Sequence, residues 1–410
     1  MKKVLIAGAS TYGVGNMGDD AMLYNLTSNL HKMCDCKITF LARHPDIEYD
    51  KLFDISSIKN YEFDTRDQSI GKFFYGFNFS DNKEHLKKIR EAIIESDLII
   101  IGGNSFMEIF PNQFMRGVTF YSTLLAIFAI LFDKPYVLYG VAGHKIKEEY
   151  TIAMAKFLCE NASLVTVREK FFKDVLTEIG CRNDNIYVCG DPAYGVMKGD
   201  KQKGVEILKK ELIPYTNNLN IGIAFRHMYW IWDDNQYIEY AKKLAKVCDF
   251  LITKYNVNII FIANCNYLRA NPIQDDRIVA DKIISYMNNK NKAFNIKNTL
   301  NLAETISIYP LMDFVITNRR HSSIFSAVNN IPFLAMSSGH PWQFLPFMED
   351  LGIDDYCVDF IENSESDILN LFDKIYCDKE KFLLRIEKKV SFLRKNSSEH
   401  INLMKERDLI

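Results

Sequence analysis

The stretch that decides the fold is residues 311–332, LMDFVITNRRHSSIFSAVNNIP. Residues 311–316 are apolar apart from Asp313, which is typical of a short buried strand, and residues 324–328 carry apolar side chains at helical spacing. The polar residues 317–323 therefore form a strand-to-helix turn. A helix start directs free N–H groups and the positive end of its dipole outward, and two arginines, a histidine and two serines lie at this one. The turn is predicted to bind an anion; the alternative is an arginine ion pair beside a capping serine.

Apolar strands alternate with helical patterns along the whole chain. This alternation predicts parallel sheets with right-handed crossovers, so the fold class is α/β with two Rossmann-like domains facing each other across a cleft. A polar linker near residue 200 separates residues 1–200 from residues 201–377, and residues 378–410 form a lysine-rich amphipathic helix. The predicted strands are 2–9, 37–42, 97–101, 135–141, 163–167, 185–189, 220–225, 257–263, 311–316 and 332–336.

Composition limits the classes of function. The chain has 410 residues, 48% of them hydrophobic, which is enough for two cores. A formal net charge of -2 argues against nucleic acid as a general partner. Nine cysteines without a CxxC pair suit reduced thiols in a cytoplasm, and no signal-peptide pattern follows Met1. The apolar residues 117–132 are too short to span a bilayer and are predicted to form a buried helix.

Residues 13–18, GVGNMG, match the G-x-G-x-x-G pattern of dinucleotide-binding proteins. Two features argue against a dinucleotide. The second strand is followed by Arg43-His44 and not by an acid for the ribose, and Asp19 and Asp20 would repel a pyrophosphate at the helix start. These two aspartates suit hydroxyl groups better, although simple N-capping is an alternative for them.

The motifs taken together resemble the polysaccharide pyruvyl transferase family. The resemblance implies a glycosyltransferase-B-like fold and an enzyme that moves pyruvate from phosphoenolpyruvate onto two hydroxyls of a sugar, forming a ketal in a bacterial cell-surface polysaccharide or its precursor. The chain departs from the family at Phe172, where a serine is usual, and in residues 337–343, which lack a lysine that His340 could replace. The similar residues are Tyr12-Gly13, Asn16-x-Gly18-Asp19-Asp20-Ala21, Gly102-Gly103, Arg168-Glu169, Asp191-Pro192-Ala193, Arg226, Gln274-Asp275-Asp276 and Arg319-Arg320-His321.

A donor with a carboxylate and a phosphate needs forked cations and free backbone N–H groups, and the second domain offers both. Under this interpretation the donor-binding residues are Arg319, Arg226, Ser322 and His340, with Arg319 and His321 facing solvent in the cleft. The predicted acid is His321 and the predicted base, on the other domain, is Asp19 or Asp20. Alanine at position 319 or 321 is expected to abolish transfer and leave the fold intact.

The acceptor side is predicted more loosely. Aromatic faces after Arg226 suit a sugar ring, although core packing explains them equally well. Arg168 either pairs with a carboxylate or faces the cleft, and Asp191 and Asp275 suit capping better than catalysis. The acceptor-binding candidates are Tyr12, Asn16, Asn104, Trp230 and Trp232, with Arg168 and Asp191 as further cleft candidates.

No metal and no cofactor are expected beyond phosphoenolpyruvate as co-substrate. The acceptor is a sugar or a lipid-linked oligosaccharide, and a lipid carrier would bring a cytoplasmic protein to the inner membrane face, which the lysine-rich tail permits. The sequence leaves the oligomeric state undetermined. Three other functions stay open: a nucleotide-sugar glycosyltransferase of the same fold, a non-catalytic glycan or anion receptor and, more remotely, an oxidoreductase.

Overall fold

The computed structural model describes residues 1–8, 15–42, 44–60, 83–103, 105–106, 117–215, 218–229, 231–266, 274–339 and 341–410. The chain divides into two compact units. The first comprises Met1–Val14, Asp19–Gly195 and Leu393–Ile410, and the second comprises Gly15–Gly18 and Val196–Phe392. The division thus falls at 195/196, close to the polar linker, whereas the sequence analysis put it at 200/201.

The first unit is built on a parallel sheet with helices between its strands. The strands are β1 Lys2–Gly8, β2 Cys36–Ala42, β3 Ser56–Lys59, β4 Leu98–Gly102, β5 Ser105–Phe106, β6 Tyr136–Gly143, β7 Leu164–Val167 and β8 Ile186–Val188. In the described residues their order is β3-β2-β1-β4-β6-β7-β8, with the short β5 paired to β6. Every residue of β4 and β6 is buried, as expected for parallel strands covered on both faces.

The helices of this unit pack on the sheet through one apolar face each. The predicted buried helix, now α4, begins at Gly117 and ends at Leu131. It is buried on one side only, because Ile127, Ile130 and Leu131 are 39%, 43% and 68% exposed. The helices before the second unit are α1 Met17–Met33, α2 Ile47–Phe53, α3 Lys83–Glu95, α4 Gly117–Leu131, α5 Glu149–Glu160 and α6 Lys170–Glu178, followed by a 3₁₀ turn at Pro192–Gly195.

The second unit contains a second parallel sheet. Its strands are β9 Asn220–Ala224, β10 Asn258–Phe261, β11 Ala293–Asn295, β12 Phe314–Thr317, β13 Phe333–Ser337 and β14 Cys357–Asp359. In the described residues their order is β11-β10-β9-β12-β13-β14. Numbered from the first strand of this unit, the order is 3-2-1-4-5-6, the Rossmann arrangement. It reverses between β9 and β12, whose carboxyl ends are Ala224 and Thr317.

The helices of the second unit have clear start signals. The helix that begins at Asp234 has a capping box between Asp233 and Gln236, and it ends before Asn256 in the left-handed conformation. Within the described residues, no helix has both the length and the apolar character needed to cross a membrane. The helices are α7 Lys201–Lys210, α8 Asp234–Tyr255, α9 Asp276–Tyr286, α10 Leu302–Ile308, α11 Arg320–Val328, α12 Pro341–Leu351, α13 Glu365–Cys377 and α14 Lys379–Asn396.

The last residues of the chain return to the first unit. The predicted single helix over 378–410 is two helices, α14 and α15 (Glu399–Glu406), and the units divide near the end of α14. Asn25 Nδ2 donates to the carbonyl oxygen of Ser397 over 2.7 Å, and the ring of His400 is fully buried. Residues 393–410 therefore belong to the first unit, where their polar groups complete hydrogen bonds.

Candidate active site

The second unit presents two arginines at the point where its strand order reverses. Arg226 follows β9 and Arg319 follows β12, so the two residues flank the crevice where open parallel sheets bind ligands. Asn318 holds this edge together. Its Oδ1 accepts from the backbone N–H of Arg226 over 2.7 Å, and its Nδ2 donates to the carbonyl oxygen of Arg226 over 3.0 Å. The backbone of Arg226 is thereby fixed to the end of β12.

Helix α11 starts at this edge, as the sequence predicts. Its N-cap residue is Arg319, whose side chain makes no capping hydrogen bond, so the amide groups of the first turn lack the usual side-chain cap. Ser322 does not offer its hydroxyl to a ligand. It is fully buried, and its Oγ lies 2.8 Å from the hydroxyl of Tyr309, which in turn donates to Asn264. The predicted donor contact at Ser322, the helix start, would therefore use backbone N–H groups and not this hydroxyl.

Arg319 is buried and ion-paired, which contradicts the predicted solvent-facing side chain. It is 8% exposed, and its Nη2 donates to Asp276 Oδ1. Asp276 Oδ2 also accepts the backbone N–H groups of Asn264 and Cys265, each over 2.9 Å. Arg319 Nε is buried without a hydrogen-bond partner in the described residues. The guanidinium is therefore fixed at its Nη2 by Asp276. A buried N–H group such as that of Nε costs free energy unless a ligand or a water molecule accepts its hydrogen bond.

Arg226, Arg319 and Asp276 influence one another electrostatically at this edge. Burial lowers the pKa of Arg226, and the charge of Arg319 lowers it further, so the two guanidinium groups are close enough to repel each other. Asp276 is the buried acid that faces both arginines, and burial raises its pKa while the two arginines act in the opposite direction. In the part of the chain that the structure describes, two guanidinium groups and one carboxylate thus come together, an arrangement suited to an anionic ligand.

His321 lies in the first turn of α11 and is half-buried. A Cβ atom built on Gly18 would lie only 2.0 Å from His321 Nδ1, so any side chain at position 18 would collide with the imidazole. Gly18 belongs to the short segment Gly15–Gly18, which clusters with the second unit. The last glycine of the G-x-G-x-x-G pattern is therefore explained by close approach to a histidine ring, with no need for a pyrophosphate.

The same segment is joined to the loop after β10. Met17 N–H donates to Asn264 O over 3.0 Å, and Asn266 N–H donates to Gly15 O over 3.1 Å. Asn16 accepts the N–H of Gly18 on its Oδ1 over 3.3 Å and forms a backbone bridge with Cys265. The side chain of Asn16, predicted to bind the acceptor sugar, thus forms a hydrogen bond with the backbone at the start of α1.

Trp232 is buried and is therefore not available to stack on a sugar ring. It is 4% exposed and packs between Phe225 and Tyr240, with ring centroids 6.0 Å and 4.8 Å away. The core-packing alternative is therefore correct for this tryptophan. His227 belongs to the same aromatic cluster, stacks on Tyr237 at 3.8 Å, and burial lowers its pKa to about 4. Four other predicted site residues, Tyr12, Asn104, Trp230 and His340, lie outside the described residues.

Asp19 and Asp20 lie in the first turn of α1 and are both buried in the first unit. Asp20 Oδ1 accepts a hydrogen bond from the hydroxyl of Tyr49 over 2.8 Å. Burial raises the pKa of Asp20 to about 7, the charge of Asp19 adds to the rise, and the Tyr49 hydroxyl opposes it. A carboxyl group with a pKa near neutrality is suited to exchange a proton during catalysis.

Arg168 and Asp191 are a buried structural pair of the first unit. Arg168 Nη1 lies 3.4 Å from Asp191 Oδ2, while its Nε and Nη2 donate to the carbonyl oxygens of Gly140 and Gly103. The structure thus shows the pairing alternative for Arg168, and the side chains of Arg168 and Asp191 are 5% and 2% exposed. Asp275 caps α9, as the sequence analysis favoured.

Phe172, one of the departures from the family pattern, has a structural explanation. Its ring packs edge-on against Phe106 at 5.5 Å, and a Cβ atom on Gly143 would lie 2.1 Å from it. The aromatic ring therefore fills the space above a glycine. In the described residues no group of three or more histidine, cysteine, aspartate and glutamate side chains could hold a metal ion.

The fold matches solved two-domain α/β proteins. MnaA of S. aureus, solved with UDP, has a TM-score of 0.62 at 13% identity, covering 100% of this chain and 98% of that one. HepE of Anabaena, solved with UDP-glucose, has a TM-score of 0.59 at 13% identity, covering 100% and 98%. These identities show the fold alone. They place the chain in the class of glycosyltransferase-B-like proteins with two Rossmann-like domains.

Residues 16–340 match the model of the polysaccharide pyruvyl transferase family. Because the match spans well over half of the chain, the protein belongs to that family and is a transferase. One relative of the chain is the amylovoran biosynthesis protein AmsJ of Erwinia amylovora. It is 21% identical over 393 residues, which cover 87% of this chain and 88% of AmsJ.

Two residues of the edge were missed by the sequence analysis. Asn318 was assigned to a turn and Tyr309 was not considered. Asn318 forms hydrogen bonds with the backbone of Arg226, and Tyr309 forms one with the hydroxyl of Ser322. A signal existed for Asn318 only, since an asparagine directly after a buried strand often bonds to neighbouring backbone groups.

Proposed function

We propose that this chain is a pyruvyltransferase that moves the pyruvyl group of phosphoenolpyruvate onto two hydroxyls of a sugar in an exopolysaccharide or its precursor. The family supports transfer of pyruvate, and the name of the relative AmsJ supports exopolysaccharide biosynthesis. The observation that carries the donor assignment is the position of two arginines, Arg226 and Arg319, at the carboxyl ends of β9 and β12, where the strand order of the second unit reverses.

Phosphoenolpyruvate is a small frame with two anionic groups. Guanidinium groups match carboxylate and phosphate oxygens with paired N–H donors, and the start of α11 adds backbone N–H groups for a phosphate. We assign Arg226 and the Nε of Arg319 to the donor, with His321 beside the phosphate. Asp276 is a positioning residue, because its carboxylate fixes the far end of the Arg319 guanidinium.

The reaction requires three proton transfers. Protonation of the methylene carbon turns it into a methyl group, while one sugar hydroxyl attacks the adjoining carbon and gives its proton to a base. The second hydroxyl then displaces inorganic phosphate from the same carbon, and its proton leaves with the phosphate. We assign the acid role to His321 and the base role to Asp20, whose raised pKa suits it to take a proton at neutral pH.

The test is turnover with phosphoenolpyruvate over a panel of cell-surface glycan precursors. We expect release of inorganic phosphate that depends on the acceptor, together with a product whose mass has increased by one pyruvyl ketal. Arg226→Gln should abolish this release, whereas Arg385→Gln, an arginine on α14 that pairs with Asp355, should leave it unchanged. Release of a nucleoside diphosphate from a nucleotide sugar, with no consumption of phosphoenolpyruvate, would overturn the proposal. Ligand-induced thermal stabilisation without turnover on any acceptor would indicate a receptor instead.

A further inference from the structure

Helix α14 carries an unusual concentration of positive charge. Its 18 residues, KEKFLLRIEKKVSFLRKN, include seven basic and two acidic side chains, which leave it a formal charge of +5. The whole chain has a formal charge of -2, so the residues outside this helix together carry a formal charge of -7. The positive charge of this helix is therefore a local feature.

The helix has one buried face and one outward face. Phe382, Ile386 and Val390 are 1%, 1% and 7% exposed, and Phe382 packs edge-on against Phe333 and Tyr356 at 5.4 Å. On the outward side, Leu384 is 69% exposed and Phe392 is 59% exposed. Leaving two large apolar side chains in water is unfavourable, so this face is suited to a partner.

The exposed apolar residues share their face with lysines. At about 100° per residue, Lys381, Leu384, Lys388 and Phe392 fall within an arc of roughly 80° on α14, and neither acid of the helix lies in that arc. We call these four residues the α14 surface. Arg385 lies beside it but is already paired with Asp355.

We propose that the α14 surface docks on an anionic lipid membrane. Lysines with apolar side chains on one helix face match the interface of a bilayer, where the cations meet lipid phosphates and the apolar groups enter the acyl boundary. A nucleic acid would use the lysines and leave Leu384 and Phe392 in water. A second copy of the chain would bring like charges together. The proposal does not depend on pyruvyl transfer, because docking is measured without substrate.

The test is co-sedimentation of the full chain with vesicles. We expect the protein to sediment with vesicles that contain phosphatidylglycerol, to stay in solution with pure phosphatidylcholine, and to be released by high salt. Lys381→Glu with Lys388→Glu should weaken binding by more than about tenfold. Lys209→Glu with Lys210→Glu, an equal change of charge at exposed positions of α7, should leave binding close to that of the unchanged protein.

A second variant separates a membrane from other polyanions. Leu384→Ala with Phe392→Ala keeps every charge and alters only exposed side chains, so the fold should be preserved, while vesicle binding should fall severalfold. Three outcomes would overturn the proposal. They are no sedimentation with anionic vesicles, sedimentation that neither double variant changes, and self-association in the ultracentrifuge that the α14 variants abolish.

Discussion

At the scale of single residues, the clearest lesson concerns Arg319. The sequence correctly indicated a cation at a strand-to-helix turn, but it could not show that the guanidinium is buried against Asp276. That partner lies 43 residues away along the chain, and no local pattern links the two positions. Burial can be predicted for apolar stripes because they repeat, whereas the pairing of two charged residues depends on how the sheet is ordered.

Arg319→Ala is therefore expected to destabilise the fold, contrary to the expectation from the sequence. Removing one partner of a buried ion pair leaves the other charge uncompensated, which costs about 3–5 kcal/mol. Urea denaturation monitored by circular dichroism measures the loss. Removing the lysine of an exposed pair, Lys170 with Asp174, should change the stability little. An Arg319→Ala protein as stable as the original would show that the pair is not formed.

Asp20 leads to a prediction about pH. A base must be deprotonated, so kcat/KM should rise with pH through an apparent pKa of about 7. Tyr49→Phe removes the hydrogen bond that lowers this pKa, so the rise should move to higher pH. Asp20→Asn should reduce kcat by roughly 10²–10⁴ and remove the pH dependence. A Tyr49→Phe profile that coincides with the original would contradict the assignment of Asp20.

Gly18 tests the position of His321. Because a Cβ atom on residue 18 would lie 2.0 Å from His321 Nδ1, Gly18→Ala must displace the imidazole. Such a displacement can cost on the order of 100-fold in kcat/KM. Gly352→Ala is the control for backbone strain without a collision, because φ is +68° there and a Cβ atom meets nothing within 4 Å. In a double-mutant cycle, Gly18→Ala should cause no further loss once His321 is alanine; an additive loss would argue against the contact.

At the scale of elements, the boundaries of most strands and helices follow from the sequence. The run 311–332 gives β12 and α11 as predicted, because a buried strand, polar turn and apolar helical stripe each have their own period. The last element is different. The sequence of the lysine-rich tail predicts one amphipathic helix, whereas the structure has two helices, α14 and α15. The second of them carries the fully buried His400. A single polar residue in an amphipathic helix gives no signal of burial.

His400 should make the stability of the first unit depend on pH. Nε2–H donates to Gly190 O over 3.1 Å, and Nδ1 forms a hydrogen bond of 2.8 Å with the Thr166 hydroxyl. Burial lowers the pKa of His400 from 6.5 to about 4, with Asp191 raising and Arg168 lowering it. The unfolded chain therefore binds one more proton between these two values, so stability is full above pH 6.5 and is lost as the pH falls toward 4.

The loss over that window is on the order of 3 kcal/mol for one fully shifted histidine. His400→Gln should reduce the acid-induced fall of the melting temperature between pH 7 and pH 5. Asn402→Ala on the same helix removes no titratable group and should keep the original slope. His227, whose pKa is also about 4, should retain its own contribution in both variants. If His400→Gln and the unchanged chain lose stability in parallel, the buried neutral histidine is not the cause.

At the scale of the whole molecule, alternating strands and helices are sufficient to predict two Rossmann-like domains, and the strand orders agree with that prediction. Connections between distant parts of the chain could not be predicted. Ser397 joins Asn25 across 372 residues of sequence, and the segment Gly15–Gly18 clusters with the unit that begins at Val196. Such long-range pairings depend on tertiary packing, which one sequence does not reveal.

The most direct test of the account is a calorimetric titration of the protein with phosphoenolpyruvate in the absence of acceptor, with UDP titrated in parallel. The account predicts saturable binding of phosphoenolpyruvate that Arg226→Gln weakens by about tenfold or more, since a charge-assisted hydrogen bond is lost, and no comparable binding of UDP. Unchanged affinity of Arg226→Gln for phosphoenolpyruvate, or tighter binding of UDP than of phosphoenolpyruvate, would contradict it.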